Sequence, residues 1–157
     1  MPVSELIPPA IVQAVNGLIA EFAYRVDFEE GMTVSELFCP DGYYESDGRR
    51  STGRDAINAA YAKRSALGPR TARHLFTNVR LGRINEEEYS GTSLMLLFAE
   101  NGRPPLPALP LLVADVADRY RIVGDSVLLQ SRTLASVFVR PGDSPVLPLG
   151  DESVDDR

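Results

Sequence analysis

Between residues 8 and 27 the apolar side chains Ile11, Val15, Leu18, Ile19, Phe22 and Val26 recur mainly at intervals of three and four. That period gathers them on one face of an α-helix, and Pro8 and Pro9 suit its first turn. Thr33 and Glu36 have the spacing of a capping box, and Val34, Leu37 and Phe38 predict a short second helix that stops before Pro40. Asp41-Gly42 marks a turn, Tyr43 and Tyr44 open a brief strand, and Asp47-Gly48 closes it. After Gly53, the positions Ala56, Ile57, Ala60, Tyr61 and Ala62 predict a third helix closing near Gly68-Pro69.

From about residue 73 the period becomes two. His74, Phe76 and Asn78 are expected on one face of a strand, with Leu75, Thr77, Val79 and Leu81 on the other, because successive strand side chains point to opposite faces. Strands are predicted at about 88–100, 111–122 and 127–140, separated by turn chemistry at Asn101-Gly102 and Gly124-Asp125. Four prolines in 102–110 remove ladder donors, so that stretch reads as a loop at the sheet rim. Helices first and strands after define an α+β protein with helices on one face of a mostly antiparallel sheet. The compact unit is expected over 1–140. The acidic, proline-containing segment 141–157 is expected to be poorly ordered or docked on a partner subunit.

Composition narrows the chemistry. With 157 residues there is room for about one domain, and no apolar run approaches a membrane span. A net charge of −6 without a Lys/Arg cluster argues against nucleic-acid binding. The single cysteine, Cys39, is expected to be a buried, inert thiol in a cytoplasmic protein, and one histidine cannot make a multi-histidine metal site. No Cys/His cluster with metal-ligand spacing is present either, so a structural zinc site is not expected.

The segments FAYRVDFEEG, ELFCPDGYYES, GRDAI, RHLFTNVRL, DRYRI and LLQSRTLASVF, in this order over about residues 8–140, resemble the SnoaL-like branch of the nuclear-transport-factor-2-like superfamily. The resemblance implies a cone-shaped α+β fold, a strongly bent sheet and about three helices around an apolar pocket, in homodimers. Enzymes of that superfamily include dehydratases, ketosteroid isomerases, epoxide hydrolases and polyketide cyclases that work without metal or organic cofactor; other members have the fold and no reaction. Asp27 matches the acid that closes the first helix, and His74 the histidine that begins the long strand. Phe22 stands where dehydratase-like members often carry a pocket tyrosine, and Ser93, Met95 and Leu97 supply no second acid on the next strand.

Two readings of these residues stand side by side. Asp27 and His74 form an acid/base dyad if they face each other, the carboxylate fixing the imidazole tautomer; otherwise Asp27 caps its helix and His74 is a satisfied half-buried side chain. Asn78 either contacts a ligand carbonyl or bonds neighbouring backbone. Phe22, Tyr43, Tyr61 and Tyr120 are candidate pocket wall or simply core. Arg73 and Arg132 either bind a carboxylate in bidentate fashion or pair with acids such as Asp115 or Asp118, the pairing being the expected role. The resulting function is a cofactor-independent lyase or isomerase acting on a small apolar oxygenated molecule. The alternatives are a non-catalytic ligand-binding or dimerisation module and an accessory subunit of a larger enzyme.

Overall fold

The computed structural model describes residues 6–143, 147, 149–150 and 152–153. Helix α1 (Pro9–Glu29) leads into a 3₁₀ turn (Val34–Leu37), strands β1 (Phe38–Ser46) and β2 (Arg49–Thr52), and helix α2 (Arg54–Ala66). Four long strands follow, β3 (Arg70–Arg83), β4 (Glu88–Asn101), β5 (Leu112–Val123) and β6 (Ser126–Val139), then the two-residue β7 (Glu152–Ser153). They form one sheet in the order β3-β4-β5-β6-β1-β2-β7, antiparallel except where β1 runs parallel to β6. None of the described helices is long and apolar enough to cross a membrane.

The apolar stripe of α1 meets the sheet as its spacing implies: Val15, Leu18, Ile19 and Phe22 are buried, and the helix packs on β3 and β6. Burying each such side chain contributes about 1.5–3 kcal/mol before entropy is subtracted. Helix α2 is fastened to β1 by Arg54, whose Nε and Nη2 donate to the Phe38 carbonyl at 3.0 and 2.8 Å. Asp55 in its first turn and Lys63 and Arg64 in its last complement the helix dipole.

Among the described residues there are two α-helices where about three were expected. Thr33 makes no side-chain cap, and Glu36 accepts from Arg25 Nη1 at 3.2 Å instead of closing a capping box. The chain is already extended at Phe38, so only one 3₁₀ turn fits before the strand.

In β3 the alternation breaks. Asn78 has φ +56° inside a register shift between Thr77 and Arg80, so a bulge inserts an extra residue. Beyond it the parity is reversed. Val79 and Leu81, expected opposite to His74, pack on the core instead, and Asn78 is exposed.

Several residues of the C-terminal segment lie outside the described part; those described pack on this chain. Leu149 is buried, the Gly150 N–H donates to Ser51 Oγ at 3.0 Å, and β7 pairs with β2. The free edge of β2 explains the docking, since it offers unpaired ladder groups.

Candidate functional site

Asp27 sits in the last turn of α1, and His74 lies in β3 on the face that meets that helix. Forty-seven residues apart in sequence, they join by two bonds. The Asp27 carboxylate lies 2.6 Å from His74 Nδ1 through Oδ1 and accepts the His74 backbone N–H at 2.8 Å through Oδ2. A carboxylate at a helix C-terminus opposes the dipole, and these bonds offset that cost. The acceptor-only carboxylate assigns the proton to Nδ1 and leaves Nε2 free to take or give one. Both side chains are largely withdrawn from solvent, with 5% of Asp27 and 13% of His74 exposed.

The pair borders a cavity of about 120 Å³ between the sheet and the ends of α1 and α2. Its apolar wall includes Met95, Leu97, Leu112 and Leu134, with Leu147 reaching it from the C-terminal segment. Two phenols face it, Tyr44 from β1 and Tyr61 from α2. Burial pushes the Tyr44 phenol up to about 12 despite the nearby Arg132 charge. Burial also raises Tyr61 well above its ordinary value, with Tyr44 and the Asp27 charge adding to the effect. Both are therefore neutral hydrogen-bond donors at physiological pH.

Among the expected pocket residues, Tyr61 borders the cavity, while Phe22, Tyr43, Asn78 and Tyr120 do not. Phe22 lies one turn before Val26 and is packed edge-on against Phe38, Tyr44 and Phe76. Tyr43 faces the other side of the sheet, under the Arg50 guanidinium at 3.9 Å. Asn78 is turned out by the bulge. Tyr120 is buried with its hydroxyl donating to Asp118 Oδ2 at 2.8 Å.

Asp118 also receives Arg132 through Nε at 2.9 Å and Nη2 at 2.7 Å, the pairing expected from sequence. Asp118, Arg132 and Tyr44 occupy one row across β5, β6 and β1. Arg132 is wholly buried, with its guanidinium 4.3 Å from the Phe22 ring centre and 4.6 Å from that of Phe76. Cys39 is buried as expected, and burial raises its thiol.

Sequence reasoning passed over Tyr44, Arg64 and Arg70, all of which border the cavity. For Tyr44 a signal existed. Glu45, as a charged strand residue, belongs on the outer face, where it pairs with Arg50 at 2.7 Å; that directs Tyr44 inward. The two arginines follow helix-end and strand-start positions that periodicity does not address.

A curved, mostly antiparallel sheet backed by helices, with a side-chain-lined cavity at their junction, defines the cystatin-like, nuclear-transport-factor-2-like α+β cone. Within that class residues 10–133 match the SnoaL-like domain, and the chain belongs to this family. Similar solved structures include a Nostoc punctiforme protein of unknown function with a cystatin-like fold (19% identity, TM-score 0.71, covering 90% of this chain and 97% of that one). A candidate scytalone dehydratase from Novosphingobium aromaticivorans is 16% identical, with TM-score 0.74 over 92% of this chain and 96% of its own. The β subunit of a candidate aromatic-ring-hydroxylating dioxygenase from the same organism is also 16% identical, with TM-score 0.71 over 82% and 90%. No curated protein sequence matches the chain.

Proposed function

We propose that this protein is a cofactor-independent lyase or isomerase in which His74, oriented by Asp27, moves a proton on a small, largely apolar oxygenated molecule. The observation that carries the reading is the Asp27–His74 pair at 2.6 Å on the wall of an apolar cavity. In this scheme Asp27 holds the Nδ1 proton and stabilises the imidazolium, while Nε2 removes the proton beside a carbonyl or delivers one to a leaving hydroxyl. Tyr44 and Tyr61 take the part first considered for Asn78: neutral phenols that donate to the substrate oxygen as charge develops there. A cavity of about 120 Å³ favours a single-ring compound over a steroid, since a cavity near 150 Å³ accepts benzene. The lone buried thiol suits a cytoplasmic setting.

Exchange of the α-protons of 1-indanone in deuterium oxide, followed by proton NMR, tests the proton transfer without the natural substrate. His74→Gln is expected to lower the protein-catalysed rate about 10²-fold or more, and Asp27→Asn to lower it by a comparable factor. Exchange no faster than in imidazole buffer, or unchanged in both variants, rules the reading out.

A second reading has its own support. The outer face of the sheet carries exposed Leu75, Leu94 and Phe138, and a dioxygenase β subunit shares the fold. We favour a second copy of this chain as the cover of that face; an accessory role on a larger enzyme is the competing assignment.

A further inference from the structure

We propose that the natural occupant of the cavity carries a carboxylate, seated between Arg64 and Arg70 at the mouth, with its apolar body extending inward toward His74. The inference rests on the ligand-pocket part of the proposed function and specifies the substrate class.

Both arginines border the same cavity as Asp27 and His74, and both are half-buried. Arg64 arrives from the last turn of α2 and Arg70 from the first residue of β3. Both adjoin Asn101: Arg64 Nη2 donates to its Oδ1 at 3.4 Å, and Arg70 pairs with it in the β3–β4 ladder.

Neither guanidinium has a carboxylate within ion-pair distance among the described residues. The acids nearby are otherwise engaged. Glu100 and Asp143 are bound by Arg140, at 3.1 and 2.6 Å. Glu30, the other acid on the rim, accepts the Ser65 hydroxyl at 2.6 Å. Arg64 Nε is buried with no hydrogen-bond partner, which leaves a charged donor unsatisfied at the cavity wall. Burial, followed by the like charge of Arg64, lowers Arg70 below its ordinary value against the opposing pull of Glu100 and Asp143. An anion would relieve both effects. A planar carboxylate matches the guanidinium fork better than a round anion, and it leaves the ring-sized space within for an apolar body.

Benzoate and benzamide, equal in shape and different in charge, are the probes, titrated into ¹⁵N-labelled protein at low salt and followed by NMR shifts of the cavity-lining residues. Benzoate is expected to bind about tenfold or more tightly than benzamide, with the preference shrinking as sodium chloride is added. Arg64→Gln and Arg70→Gln are each expected to reduce the preference and together to abolish it, with the thermal midpoint nearly unchanged. In His74→Gln the preference should persist. Equal affinity of the two probes, no cavity shifts with either, a preference that survives the double substitution, or one that disappears with His74→Gln would overturn the proposal. Failure of the acid/base reading appears instead in the exchange rate of 1-indanone, so the two can fail separately.

Discussion

A guanidinium with no exposed surface normally needs every donor matched, yet Arg132 relies on Asp118 and two aromatic faces while its Nη1 has no hydrogen-bond partner. Burial acts to discharge Arg132, but the adjoining Asp118 charge and its hydrogen bonds reverse that and raise it above its ordinary value. Asp118→Asn keeps the shape and removes the charge; a destabilisation of about 3–5 kcal/mol is expected, because an uncompensated cation stays buried. Chemical denaturation measures it, and a loss below about 1 kcal/mol would show that the pair is not what holds the row together. The phenols offer a second test at this scale. Tyr44 is raised to about 12, and burial also raises Tyr61 and Tyr120. In the unfolded chain a phenol ionises near 10, so their contribution is complete below about pH 10 and is lost as pH rises above it, for Tyr44 by about 12. The thermal midpoint should therefore fall over that window, and absorbance at 295 nm should show these phenols ionising only as the fold is lost. Titration of all six tyrosines near pH 10 with the fold intact would contradict the burial argument.

Among the elements, β3 carries the site and also its irregularity. The bulge at Asn78 lets Ala72, His74 and Phe76 face α1 and then returns Val79 and Leu81 to the same side. Asn78 has φ +56°, which asparagine tolerates and a β-branched residue does not. Asn78→Val is thus expected to cost about 1–2 kcal/mol and Asn78→Gly very little, by urea unfolding; equal costs would mean that the bulge does not demand this conformation. The same irregularity explains what could be read in advance. The α1 stripe and the change of period near residue 73 were legible because each face repeats over many residues, and one unsignalled residue in β3 was enough to mislead the parity of Asn78. Asp27 and His74 were singled out through family resemblance, since no local pattern joins residues 47 positions apart. Gly31 was silent for a similar reason. It has φ +75°, and a Cβ there would run into the Tyr61 ring, a close approach created only when α1 and α2 come together.

For the molecule as a whole, the outer face of the sheet is the unresolved surface. Leu75, Leu96, Val113 and Phe138 stand opposite one another across β3, β4, β5 and β6, and Leu94 flanks them. Phe138 is 69% exposed and Leu75 47%. A contiguous apolar row spanning four strands is more than scattered surface leucines, and such patches mark interaction sites. A second copy can present the same row to it, and a sheet face has the breadth of a standard interface, about 800 Å² per partner. Sedimentation velocity at about 10 µM is expected to give a particle of twice the chain mass. Leu75→Asp and Phe138→Asp alter side chains that the single chain leaves exposed, so each should yield a folded monomer with its circular dichroism preserved, and the pair together should abolish association. A wild-type protein that stays monomeric up to about 100 µM would instead assign this face to a different partner, in keeping with the accessory-subunit reading. A dimer untouched by both substitutions would place the interface elsewhere, and the apolar row would then need another cover.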